Sequence, residues 1–147
     1  DQYIEEIQEA AILLKNVLLL FIHIDGLKKI NDMNGMQMGD EVVIWTARSI
    51  QIAGKSLEPD AESFRVNGNE FAVVVVNPQK LPEEWEKVIR NELKKEIGSR
   101  CRIELKFGYS YLREKDGTLQ SVSDWKMQAD KMLCLNTGKS VEDRYDL

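Results

Sequence analysis

The stretch that most constrains this chain is VLLLFIHI, Val17–Ile24. It is apolar almost throughout, rich in strand-forming residues, and shows no polar alternation. A strand of that kind is buried on both faces, so something must cover it above and below. A second apolar run, AVVVV at Ala72–Val76, reads as another strand. Just ahead of it stands RVNGNEF, Arg65–Phe71, which reads as an exposed polar hairpin tip between two strand arms, Glu62–Val66 and Phe71–Val76. Asn67 and Asn69 suit such a tip because Asn tolerates the left-handed region, and Gly68 tolerates positive φ.

The rest of the pattern supplies the covering layers. QYIEEIQEAAILLK carries apolar residues at helical spacing. Asp25 stands where a helix N-cap belongs, a short helical turn runs to Met33, and Asn34-Gly35 breaks it. Gly39–Gly54 reads as a helix with Val43, Ala47, Ile50 and Gly54 on its inner face, beside Val42 and Ala53. That rotation sends Ile44, Trp45 and Ile52 outward, as a covered surface: a partner, a dimer mate or the N-terminal helix. Pro82–Ile97 opens with proline in its first turn. Arg102–Leu112 contains the strand-like IELKFGYSYL, Ser121–Asn136 is helical, and Arg144–Leu147 is a candidate final strand. The expected fold is α+β: a central five-stranded, mostly antiparallel sheet flanked by helices.

Size and charge narrow the function. The 147 residues suit one domain, 1–147, with a full core. A net charge of -5 argues against a general nucleic-acid or anionic-membrane surface, yet leaves room for one small nucleotide in a locally positive pocket. Cys101 and Cys134 form no zinc pattern, and a reduced, cytoplasmic chain is the simpler reading. AILLKNVLLLFIHI is too short and, at Lys15 and Asn16, too broken to span a bilayer. The chain opens on Asp1 rather than Met, and is expected to be excised from the C-terminal part of a larger signalling protein.

FIHIDGLKKINDMNGMQMGDEVV resembles the signature of GGDEF domains, the diguanylate cyclases, roughly DxDxFKxxND, then G, then GDxxL. RVNGNEF falls where RYGGDEF is expected; FGYSYL and WKMQADKML are similar to the family's next strand and helix. The resemblance runs from about Val17 to Thr137. It implies a ferredoxin-like, nucleotide-cyclase-like palm that condenses two GTP into cyclic di-GMP, two domains meeting face to face with Mg²⁺ on the triphosphate.

By the same resemblance, Lys28 falls at the basic position near the phosphates, and Asn31 and Asp40 at the two residues facing the guanine. A carboxylate can accept from guanine N1–H and N2–H₂ together, and an amide can both donate and accept. Glu70 and Phe71 match the signature hairpin, Glu70 as the remnant of the catalytic carboxylates. The departures are His23 at the family's first metal-binding Asp, Asn69 at the Asp of the tip, and Asn67 at its first glycine. Neutral groups replace two anionic ligands, and Mg²⁺ prefers hard anionic oxygen. The phosphate-gripping Lys and Arg fall on Thr137 and Val141, and the inhibitory RxxD motif on Glu58 and Ala61. The resemblance therefore implies a degenerate domain without cyclase activity and with no cofactor: a regulatory or interaction module for a guanine nucleotide, or for a homo- or heterodimer with another GGDEF domain. Two alternatives stay open. One is an active cyclase with an atypical metal site at His23 and Glu70. The other is a pure dimerisation or partner-binding domain.

Overall fold

The structure, a computed structural model, describes residues 16–137 together with Gln2, Ile4 and Glu5. The element order is β1 (Val17–Asp25), α1 (Leu27–Asn34), α2 (Met36–Leu57), β2 (Glu62–Asn67), β3 (Glu70–Val76), α3 (Pro82–Ile97), β4 (Glu104–Tyr111) and α4 (Val122–Thr137). The strands lie in the order β2-β3-β1-β4, with antiparallel neighbours throughout. This is the ferredoxin-like arrangement, with two further helices among the described residues, α1 and α4. Of the expected N-terminal helix, Gln2, Ile4 and Glu5 are described and helical; its remainder, and the expected strand at Arg144–Leu147, lie outside the described residues. The fifth strand of the expected sheet is therefore not among the four described.

β1 is central, and all but its last residue are buried. Alternate side chains serve two cores. Leu18, Leu20, Ile22 and Ile24 meet Val42, Ile50 and Ala53 of α2 and Trp85, Ile89 and Leu93 of α3. Val17, Leu19 and Phe21 meet Trp125, Ala129 and Leu133 of α4. The continuous apolar run is the sequence consequence of this double burial. α4 is pinned to β4 by two bonds: Ser110 Oγ donates to the Trp125 carbonyl (2.5 Å), and Trp125 Nε1 donates to the Ser110 carbonyl (3.2 Å). Cys101 and Cys134 are not bridged to one another. No helix among the described residues is long and apolar enough to cross a membrane.

Three local expectations are corrected. Trp45 does not face outward: it is 8% exposed, lies in the core beside Ile50, and carries the Arg100 guanidinium over its ring at 4.2 Å. The inner face of α2 is formed by Val42, Trp45, Thr46, Ser49, Ile50 and Ala53, with Val43 and Ala47 at its margin. The cause is the burial of two hydroxyls. Thr46 Oγ1 donates to the Val42 carbonyl and Ser49 Oγ to the Trp45 carbonyl, each at 2.8 Å, so the helix's own backbone satisfies them. Counting only apolar residues therefore rotates the face. Asp25 is not an N-cap; it continues β1, opposite Glu104, and Gly26 takes the cap with φ 82, its carbonyl accepting from Ile30 N–H. Nor does the hairpin tip use left-handed residues, since none of Asn67, Gly68 and Asn69 has positive φ. A bulge between Arg65 and Asn67 supplies the added twist instead.

Candidate functional site

The end of β1 and the β2–β3 tip meet at one edge of the sheet. Ile24 N–H donates to the Asn69 carbonyl (2.8 Å), which extends the ladder past the last paired residues. His23 is in register with Glu70 of β3 on one side and with Lys106 of β4 on the other. Antiparallel partners point to the same face, so all three side chains share one surface of the sheet. Glu70, expected at an exposed tip, is 1% exposed, and His23 is 3% exposed. His23 Nδ1 lies 3.9 Å from Glu70 Oε2. Lys106 Nζ is bound to Glu104 Oε1 at 2.9 Å, and that bond, with the ammonium charge, holds the Glu104 carboxyl below its ordinary range.

Arg65 closes the tip from outside. Its Nε and Nη2 donate to the carbonyls of Asn67 (3.3 Å) and Gly68 (2.8 Å). Asn67 and Asn69 are half-buried, Gly68 is exposed, and Phe71 belongs to the core.

The chain leaves β1 through Gly26 directly into α1, which places Lys28 and Asn31 one helical turn apart beside the same edge. Lys28 is exposed. Gly35 breaks the helix with φ 92, and α2 begins at once. Gly39 is buried against Asn31: a Cβ built there would stand 1.6 Å from Asn31 Oδ1. The amide thus sits over the glycine backbone, next to Asp40, which is exposed. Asn31 Oδ1 is itself buried without a hydrogen-bond partner among the described residues. The edge therefore holds two groupings: His23 with Asn69 and Glu70, and Asn31 with Gly39 and Asp40.

The donor set at the first grouping does not suit Mg²⁺. It offers one carboxylate, one imidazole and one amide, with a lysine in register beside the imidazole. Mg²⁺ requires hard oxygen ligands, and neither neutral group replaces an anionic one.

Of the surface expected from α2, Ile44 (50% exposed) and Ile52 (41%) are exposed. Glu58, which stands at the first place of the inhibitory motif, has a structural engagement instead. Its Oε1 accepts from the backbone N–H groups of Gln79 (2.7 Å) and Lys80 (2.8 Å), tying the end of α2 to the loop before α3. Sequence reading missed Arg65, Glu58 and Lys106. The first two act on backbone groups, and Lys106 reaches the site only through the β1–β4 register.

A family model described as "Diguanylate cyclase, GGDEF domain" matches residues 1–138. Among curated relatives, the probable diguanylate cyclase DgcT of Escherichia coli is 37% identical over 59 residues, 40% of this chain and 12% of that protein. The probable diguanylate cyclase DgcJ of the same organism is 35% identical over 89 residues, 56% of this chain and 17% of that protein. The chain thus spans a small part of these relatives' length. Among solved structures, the active GGEEF domain of a diguanylate cyclase from Vibrio cholerae superposes with a TM-score of 0.65 at 26% identity, covering 86% of this chain and 80% of that one. The GGDEF domain of DgcB from Caulobacter crescentus, in complex with c-di-GMP, gives 0.67 at 22% identity over 93% and 84%.

Proposed function

This chain belongs to the GGDEF domain family of diguanylate cyclases, and from that premise we propose that it is a degenerate member: a domain that recognises a guanine nucleotide without cyclising it and acts as a regulatory or interaction module in signalling. The observation that carries this reading is the contrast between the two groupings at the β1 edge. At the metal end, the resemblance puts His23 and Asn69 at the places of anionic ligands. At the base end, it puts Asn31 and Asp40 at the guanine-facing positions, and Asn31 Oδ1 is a buried acceptor with no partner among the described residues. An unmade buried hydrogen bond costs about 1–3 kcal/mol. The N–H and NH₂ donors of guanine would recover it and engage the Asp40 carboxylate. Lys28 lies on the same helix, near enough in sequence to meet a phosphate.

Calorimetric titration with GTP, with and without Mg²⁺, followed by assay of the cell contents for cyclic di-GMP, tests the reading. Saturable, Mg²⁺-independent binding without product is expected. Asp40→Ala removes a charged acceptor from an exposed position and should weaken binding about tenfold or more. Absence of heat, or binding unchanged by Asp40→Ala, contradicts base recognition; Mg²⁺-dependent binding with product contradicts degeneracy.

A second reading has one observation in its favour. His23 Nδ1 and Glu70 Oε2 are near enough to share one ion of a softer metal such as Mn²⁺. The domain would then be an active cyclase with a metal preference that Mg²⁺ cannot satisfy. In that case Mn²⁺ should support cyclic di-GMP formation, and the double substitution His23→Asp, Asn69→Asp should transfer the activity to Mg²⁺. Pairing with another copy, or with an intact GGDEF domain, is compatible with either reading; Met36, Ile44 and Ile52 are exposed apolar positions on α2.

A further inference from the structure

A second site lies at the opposite end of the sheet. The eight residues of β4 run away from the His23 edge, which separates the two ends by about 24 Å of strand. There, between the last residues of β4, the loop after it and α4, is a cavity of about 830 Å³. Its walls include Met132 and Leu135 of α4 and the β4 backbone at Tyr109 and Tyr111, and Arg113, Lys115 and Lys131 bring three cations against the single carboxylate of Glu114. On a chain of net charge -5, this is a locally positive pocket. Its size is within the range of small-molecule sites.

Two polar side chains there are incompletely satisfied. Arg113 Nη1 donates to the Gly117 carbonyl (2.6 Å), but Nε and Nη2 are buried and have no hydrogen-bond partner among the described residues. Gln120 Nε2 donates to the Tyr111 carbonyl (2.7 Å), but its Oε1 is likewise buried and unpartnered among the described residues. Both residues line the cavity. Buried polar atoms in folded proteins are normally paired, and each exception calls for an explanation. A guanidinium with two idle donors calls for an oxyanion, which it can meet with paired, charge-assisted bonds. The idle Gln120 oxygen calls for an N–H or O–H group.

We propose that this cavity binds a small anionic ligand, with a carboxylate or phosphate oxygen on Arg113 and a neighbouring donor group on Gln120. Met132 and Leu135 of α4 supply the apolar wall, and Lys115 and Lys131 add long-range attraction. The position suggests what binding would do. Asn16, which also lines the cavity, clasps this end of the sheet: its Oδ1 accepts from Val17 N–H and Arg113 N–H, each at 2.9 Å, and its carbonyl accepts from Asn77 N–H at 2.7 Å. A ligand on Arg113 therefore acts one residue from the point where the chain enters β1, far from the candidate nucleotide edge.

The test is amide-detected NMR of the whole chain, titrated to about 10 mM with L-aspartate, a carboxylate beside an ammonium, and separately with adenosine monophosphate, a phosphate beside hydroxyls. Saturable shifts within Tyr109–Gln120 are expected with one probe, and which probe works identifies the anion. Arg113→Gln should weaken that binding roughly tenfold. Because this substitution also removes the bond to Gly117, the exposed rim change Lys131→Glu serves as a second variant and should weaken it about threefold. The proposal is overturned if neither probe shifts these amides, if the shifts survive both substitutions, or if they fall only at Lys28–Asp40.

Discussion

Gly108 is the position where a single methyl group should do most damage. It lies in β4 opposite Phe21, beneath α4. A Cβ built there would stand 2.4 Å from the Ala129 carbonyl oxygen, 2.5 Å from Leu133 N and 2.8 Å from Leu133 Cβ. Ordinary contact begins near 3.4 Å, so the overlap is about 1 Å, and two of the three atoms are helix backbone that no rotamer change can move. α4 must lift off the sheet, loosening Trp125, Ala129 and Leu133 together and straining both bonds between Ser110 and Trp125. Overpacking typically costs about 1–3 kcal/mol, and rigid backbone on the far side places this case at the upper end. For a chain of this length, about 3 kcal/mol corresponds to a fall in Tm of roughly 6–12 °C. The control is the same substitution at Gly54 in α2, where the new Cβ would find Trp85 at an ordinary 3.6 Å. There, Gly→Ala inside a helix should gain about 0.5–1 kcal/mol and raise Tm by roughly 1–4 °C. Differential scanning calorimetry of the parent and the two variants decides the matter. Gly108→Ala melting within about 1 °C of the parent would refute the close approach of α4 to β4.

Trp45→Ala should destabilise by about 3–5 kcal/mol, because it empties a core position and removes the Arg100 contact; urea unfolding measures this, and light scattering of the folded variant should show the parent's oligomeric state. Alkaline pH should weaken the fold in a defined window. Burial, reinforced by the Glu83 charge and its hydrogen bond, raises the Tyr109 hydroxyl above its ordinary value of 10.0. The unfolded chain then ionises first, so stability is intact below pH 10.0 and is lost as pH rises through the folded value. Tyr109→Phe should shallow that loss in denaturant titrations run at successive pH values, whereas an unchanged slope would contradict the upward shift of the Tyr109 hydroxyl.

Much of the architecture was legible because it rests on local pattern. Unbroken apolar runs specified two strands, the first with two covered faces, Pro82 opened α3, which closes at Ile97, and Asn34-Gly35 ended α1. The order of elements from Val17 to Thr137 and the signature resemblance around His23–Asp40 and Arg65–Phe71 followed from the chain alone. The helical rotation of α2 did not. Thr46 and Ser49 look like surface residues in a hydrophobicity count, but bonds to their own helix let them enter the core and bring Trp45 with them.

The candidate site divides along the same line. Sequence supplied the residue types at the edge, His23 and Asn69 among them. Only the tertiary structure decided that Glu70 is buried rather than exposed, that Lys106 stands in register with His23, and that Asn31 rests on Gly39 with an oxygen unpartnered among the described residues. The cavity joining Arg113, Gln120 and Asn16 is likewise tertiary. The reason is physical: residue type and periodicity act over a few neighbours along the chain, whereas register, burial and the pairing of polar groups are set by strands and helices far apart in sequence.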